Sequence, residues 1–375
     1  MDSTQAFCLQ PEITYLNHAA VAPWPLRTLT AVEQFAVENA RQGSLNYPAW
    51  LQVEDDLRSM LARLINAPGK DTIALLKSTS EALSVVAYGL TWTAGDNVVI
   101  SDQEFPSNRI VWESLQGQGV EVRQVDLSSA DTPEAALMAA TDQHTRLLSV
   151  SSVQYASGLR LQLARLGEHC QRHDILFCVD AIQSIGAVEF DVQAIQADFV
   201  MADGHKWMLG PEGLALFYCR PECYEQIALK QYGWHMIEHV GDFERHDWQP
   251  AASARRFECG SPNMVGIHAL HASISLLLEV GMPTVQAKVL ARSAAMIAAI
   301  QESATLQLCT DPAPGRYAGI VSFQHTQRTS QAVYASLLKQ GVFCACRGGA
   351  IRFSPHFYTD LDKIHTAIRL AAATD

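Results

Sequence analysis

No Cys-x-x-Cys pair occurs among the nine cysteines of this chain, and so odd and scattered a set of thiols predicts neither a disulfide framework nor a zinc site. Reduced thiols in the cytoplasm fit this usage, and no metal is expected. The chain lacks any long run of lysines and arginines, and at a formal net charge of −12 it has no basic patch for a nucleic-acid partner. No Gly-x-Gly-x-x-Gly turn follows an early apolar run, which argues against a nicotinamide-dependent reductase. The most apolar long segment, 264–282, carries two histidines, serines and Glu279, so no membrane span is expected. The start, Met-Asp-Ser-Thr-Gln, has no basic-then-apolar secretory pattern. A soluble cytoplasmic protein is the expectation, and neither an internal repeat nor a low-complexity linker interrupts it.

What remains is an ordinary globular composition, 48% hydrophobic and 18% charged. At 375 residues the chain exceeds the size at which one core stops growing, so two domains are expected. Short β-branched runs at 97–101, 120–125, 145–150, 175–180, 198–201 and 214–218 alternate with helical patterns such as 81–90 and 160–172. That alternation predicts βαβ units and a mostly parallel sheet. Ligands of such sheets bind beyond the carboxyl ends of the strands, where Asp180 and Lys206 fall. Past Glu258 the pattern becomes a long helical region, 264–301, then short strands and a closing helix at 361–372. The segment before Asn17 is expected to be irregular and to pack on this second domain.

Lys206 follows an apolar run and is flanked by His205, Trp207 and the Leu209-Gly210-Pro211-Glu212-Gly213 turn. Taken alone it reads as a surface lysine, but in a desolvated, shaped place its pKa falls and it becomes an amine nucleophile. Asp180 ends another apolar run and reads both as a helix cap and as the carboxylate that keeps a pyridine nitrogen protonated. Gln183 is placed to donate to the ring's phenolic oxygen. Ser78-Thr79-Ser80-Glu81 is a capping box, and a helix N-terminus with added hydroxyls also suits a phosphate, with His205 as a further donor. Phe105 reads as a core residue or as an aromatic face stacked on the pyridine. Arg347 and Arg352 flank a glycine turn, and one of them is a candidate to grip an α-carboxylate bidentately.

Five segments together resemble the class V aminotransferases, the group that includes cysteine desulfurases, kynureninase and related lyases and epimerases. They are Thr79-Ser80-Glu81, Asp180-x-x-Gln183, Gly204-His205-Lys206-Trp207, Arg255-Arg256-Phe257-Glu258-x-Gly260-Ser261-Pro262-Asn263 and Arg352-Phe353-Ser354-Pro355-His356-Phe357-Tyr358. The resemblance runs from Tyr15-Leu16-Asn17-His18-Ala19-Ala20 to Tyr358. It implies an α/β fold-type I pyridoxal-phosphate enzyme, with a large domain at 18–257 holding a mostly parallel seven-stranded sheet between helices. A smaller C-terminal α/β domain at 258–375 would carry the segment 1–17. It implies Lys206 as the Schiff-base lysine, Asp180 on the ring nitrogen, Gln183 on the ring oxygen, and Thr79, Ser80 and His205 on the phosphate. It further implies a homodimer in which Gly260-Ser261 reaches the partner's phosphate, Arg352 as the carboxylate arginine, and His18 and Ala19 on the substrate wall.

Three departures shape the expected activity. Desulfurases usually stack a histidine on the ring, whereas Glu104-Phe105-Pro106-Ser107-Asn108 is closer to the Phe-Pro of kynureninase. They also carry a nucleophilic cysteine on a loop before the arginine, and the turn from Arg347 to Arg352 is too short for that loop. Asp203 stands where many relatives have a serine near the phosphate, so its charge needs a partner of its own or must face away from the phosphate. An aminotransferase or carbon–sulfur lyase acting on a small amino acid is therefore expected. A persulfide-forming cysteine desulfurase and an epimerase or kynureninase-like lyase are the alternatives.

Overall fold

The computed structural model describes residues 6–374. The chain opens with β1 (Thr14–Tyr15), α1 (Leu26–Gln42) and α2 (Tyr47–Leu64). Alternating elements follow: β2 (Ile73–Leu76), α3 (Thr79–Gly89), β3 (Asn97–Ser101), α4 (Ser107–Glu113), β4 (Glu121–Val125), α5 (Pro133–Ala139), β5 (Thr145–Ser151), α6 (Leu163–Arg172), β6 (Leu176–Asp180), β7 (Phe199–Asp203) and β8 (Ala215–Cys219). The remainder is α7 (Met264–Val280), α8 (Met282–Gln301), β9 (Leu306–Leu308), β10 (Val321–His325), α9 (Ser330–Lys339), β11 (Val342–Phe343), β12 (Ala345–Arg347), β13 (Ala350–Phe353) and α10 (Leu361–Ala372).

Seven strands form the main sheet in the order β2-β8-β7-β6-β5-β3-β4. Only β8 runs antiparallel to its neighbours; the other pairs are parallel. Helices cover both faces, which is why β2, β3, β6 and β8 read as continuous apolar runs and are buried throughout. The edge strand β4 instead places Glu121 and Arg123 toward solvent, a charged edge that resists pairing with another chain. The carboxyl ends of β2, β3, β5, β6 and β7 all point the same way. The order of the strands reverses beside β3, and the crevice opens there.

The helical region expected at 264–301 is two helices bent by 85°. Gly281, at φ 81°, breaks it and Pro283 opens the second helix. Ile267, Leu270, Ile274 and Leu277 of α7 belong to the large core beside the sheet. Met296, Ile297 and Ile300 of α8 belong instead to the small core with Phe323 and Phe353. The packing thus passes from one core to the other within α8. Among the described residues no single helix is long and apolar enough to cross a membrane.

The small unit is a four-stranded antiparallel sheet, β12-β13-β10-β9. Leu16 lies in its core. The segment before Asn17 is less irregular than expected, since Thr14 and Tyr15 pair in parallel with Val342 and Phe343. Two helix starts also differ from the pattern: α3 begins two residues earlier, where Ser78 caps it, and α6 three residues later, because Arg160 is held in a bridge to Val153.

Candidate active site

One cavity of about 370 Å³ at the strand ends is lined by Ala19, Thr79, Ser80, Phe105, Asp180, Gln183, His205, Lys206 and Arg352. Residues distant in the chain meet there because each follows the end of a strand or a segment docked on one. Lys206 sits in a tight turn after β7, where Leu209 N–H donates to the Lys206 carbonyl at 3.0 Å and Gly210 N–H to the Gly204 carbonyl at 2.8 Å. Leu209 pays for this turn with φ 62°. Burial pushes the Lys206 ammonium down to about 8, Asp180 opposing and Arg352 reinforcing the shift. The neutral amine is therefore a minority near neutral pH, yet far more abundant than for an ordinary lysine.

Asp180 is 2% exposed, and burial pushes its carboxyl up to about 7, against the Ile182 N–H and Lys206. Its Oδ1 accepts that N–H at 3.0 Å, so capping the turn and facing the cavity are both realised. Gln183 is locked by two partners. Its Oε1 accepts from the Trp207 indole at 2.8 Å and its Nε2 donates to the Ala19 carbonyl at 3.1 Å, which leaves one amide hydrogen to spend. Gly186 lets the Trp207 backbone approach, since a Cβ there would lie 2.2 Å from the Trp207 oxygen.

At the start of α3 the capping box forms: Glu81 N–H donates to Ser78 Oγ at 3.2 Å and Lys77 N–H to Glu81 Oε2 at 2.5 Å. Asp203 supplies a third cap. Its Oδ2 accepts the Thr79 N–H and its own N–H donates to Thr79 Oγ1, both at 3.1 Å. The charge that needed a partner thus has one, and Thr79 is engaged by it. Ser80 donates to Ser107 at 2.8 Å. His205 is held neutral, pushed down to about 4 by burial and then by Lys206, and its buried Nδ1 has no partner. An anion beside Ser80 and His205 would meet a hydroxyl, an unpaired ring nitrogen and a helix dipole.

Arg352, on β13, is 2% exposed. Its Nη1 donates to the Tyr155 carbonyl at 2.7 Å, while Nε is buried without a partner. Phe105 is 41% exposed, which settles it as a wall of the cavity and not as core. Its ring meets Tyr155 edge-on at 5.2 Å, with Lys206 Nζ 5.7 Å from its centroid.

One expected residue, His18, does not line the cavity. His18 is fully buried, its Nδ1 paired with the Ser354 carbonyl at 2.9 Å and its Nε2 with Tyr358 Oη at 2.7 Å. Both nitrogens are spent on joining the N-terminal segment to the small unit, and only its neighbours Ala19 to Val21 reach the cavity. Ser261, expected at the partner's phosphate, lines an adjoining cavity with Gly260 and Gln231. Conversely, the sequence reading missed Tyr155 and the role of Trp207, as well as Glu104. This buried carboxylate accepts from Ser101, Asn108, Ser151 and Gln154 and braces the floor beneath Phe105. Burial was the missing signal.

The expected absence of a cysteine loop is visible as a hairpin. Arg347 pairs with Ala350, and Gly348 and Gly349, at φ 54° and 74°, close β12 onto β13 as a two-residue turn that needs left-handed backbone at both positions. Cys344 is 3% exposed, and burial pushes its thiol up to about 12.

The family model for class-V aminotransferases matches residues 14–369. The chain belongs to that family. A probable cysteine desulfurase of Methanothermobacter thermautotrophicus is 30% identical to this class-V protein, covering 93% of this chain and 92% of its own length. An uncharacterized aminotransferase of Bacillus subtilis is also 30% identical, over 88% and 85%. Among solved structures, the cystine C–S lyase C-DES in complex with cysteine persulfide superposes with a TM-score of 0.88 at 24% identity, covering 96% of this chain and 98% of that one. A C-DES mutant with glycine covalently linked to its pyridoxal-phosphate cofactor reaches 0.89 at 23%, over 97% of each chain. The fold is that of these fold-type I enzymes, and this class-V protein is a pyridoxal-phosphate-dependent enzyme.

Proposed function

We propose that this enzyme acts on α-amino acids as an aminotransferase or carbon–sulfur lyase. The observation that carries the choice is the Gly348-Gly349 turn, too short to present a thiol on a loop before Arg352, beside a Cys344 whose thiol burial keeps protonated near neutral pH. When bound, pyridoxal phosphate supplies an aldehyde for a lysine amine and a ring that accepts electrons from the amino-acid carbon. Lys206 would hold it and, once free, move the α-proton at Nζ. Asp180 would keep the ring nitrogen protonated, and Gln183 would spend its remaining hydrogen on the ring oxygen. Ser80 and His205 would hold the phosphate, with Thr79 orienting the helix start through Asp203. Phe105 and Tyr155 would exclude water from one side, and Arg352 would turn the substrate's carboxylate.

The test is product identification across a panel of amino acids and thioethers. Keto acid with the amine form of the cofactor marks transamination; pyruvate with ammonia marks elimination. Relatives named cysteine desulfurase favour a second reading. Persulfide formed from cysteine, and lost on replacing Cys344 or Cys346, would establish it in place of ours. We also propose a cytoplasmic homodimer, with Ser261 reaching the partner's site. Exposed Tyr232, Phe243 and Trp248 on the preceding segment favour a covered face, and sedimentation at micromolar concentration decides it.

A further inference from the structure

We propose that Arg347 is a second anion subsite, so that the substrate is an α-amino acid whose side chain carries a carboxylate. This rests on the amino-acid reading above and deepens it. In the β12–β13 hairpin Ala345 stands opposite Arg352, and Arg347 is two residues beyond Ala345 on the same strand. Alternation along a strand therefore places both arginines on one face as diagonal neighbours. Both line the cavity that holds Lys206.

Like charges so arranged repel, and the chain does nothing to cancel them. The guanidinium of Arg352 donates to the Tyr155 carbonyl, and that of Arg347 to the Cys346 carbonyl at 2.9 Å. Among the described residues neither forms an ion pair, whereas Arg58, Arg220 and Arg316 each meet a carboxylate. Two acidic groups of the cavity are engaged elsewhere, Asp180 accepting the Ile182 N–H and Asp203 capping α3, and the exposed Glu212 forms no ion pair with either arginine among the described residues. The mutual repulsion is felt, since burial and then Arg347 hold Arg352 down to about 10. A single α-carboxylate satisfies the buried Arg352, with its free Nε, and leaves Arg347 at the mouth without an anion. A side-chain carboxylate completes the pair.

Arg347 is exposed, so its contact is screened and worth about two- to fivefold in affinity, less than a buried charged hydrogen bond. The test uses the cofactor-loaded protein and reads binding from the cofactor absorbance. Glutamate is compared with glutamine, and aspartate with asparagine, at low and high salt. We expect each acid to bind about two- to fivefold tighter than its amide, the gap narrowing as salt rises. Arg347→Gln should bring acid and amide together, and Arg347→Lys should restore part of the gap. Equal affinities in the wild type, or a preference that survives Arg347→Gln, would overturn the assignment of Arg347 alone. A spectrum that responds to other amino acids but to none of the four would also overturn it, whereas one that responds to no amino acid at all would overturn the amino-acid reading beneath it.

Discussion

Two groups of buried charge in this molecule are built in opposite ways. Beside α2, Arg58 donates to both Glu54 and Glu258, Leu75 N–H donates to Glu258 at 2.8 Å, and His235 lies within 3.7 Å of the two carboxylates. Burial alone would lower the Arg58 guanidinium, yet Glu258 and Glu54 hold it above its ordinary range. At the strand ends, Lys206 and Arg352 are instead pushed down, to about 8 and about 10. The first cluster is closed. Glu54, His235 and Glu258 bring ligand atoms within 4.8 Å of one another, a spacing that suits a metal ion, but the guanidinium already fills the cationic role. The second is open, with cations that the chain leaves unpaired. Charge that the chain itself satisfies holds the fold, here tying the segment at Glu258 to α2 and β2; charge left unsatisfied waits for a ligand.

Breaking the closed cluster should have the largest effect. Glu258→Gln leaves Arg58 short of a buried partner and should cost about 3–5 kcal/mol of stability, read from urea unfolding of the cofactor-free protein. Arg352→Gln in the same measurement should be neutral or stabilising, because it removes a buried cation that nothing pairs. Equal losses in the two variants would erase the distinction between the clusters.

Next in size, Arg352→Gln should weaken amino-acid binding by about 10- to 100-fold, the scale of a charged hydrogen bond lost from a buried site. Titration of the cofactor absorbance checks it; a change under about twofold would place the carboxylate elsewhere.

The smallest effect concerns pH. Only the neutral amine of Lys206 can attack an aldehyde, so uptake of pyridoxal phosphate should rise with pH and level off above about 8. Arg352 disfavours the protonated amine. Removing it therefore makes the proton harder to lose, and the midpoint should move upward by less than about one unit. Stopped-flow uptake curves for the two proteins would show a shift downward if the coupling had the wrong sign.

Much of the open cluster was legible in the sequence because most of its members lie at or just beyond the end of a strand. Asp180, Lys206 and Phe105 follow apolar runs, and the rule for α/β sheets puts such positions at one crevice. Arg352 was legible from its apolar surroundings. What could not be read were contacts between distant residues. Asp203 and Thr79 are 124 positions apart, and His18 turns to a tyrosine 340 positions away, so that its backbone neighbours face the cavity and its ring does not. Trp207 bonding Gln183 depends on Gly186 giving it room, which no local pattern announces. The break at Gly281 was different: a glycine followed two residues later by proline marks a helix end, and the apolar continuity of 264–301 hid it. The same continuity hid the passage from one core to the other.

The account depends most directly on where the cofactor is held. Borohydride reduction of the protein loaded with pyridoxal phosphate, followed by peptide mapping, reads that position covalently. The predicted result is one reduced adduct, on Lys206, and none in Lys206→Ala. An adduct on Lys77 or Lys230, or labelling that survives in Lys206→Ala unchanged, would contradict it.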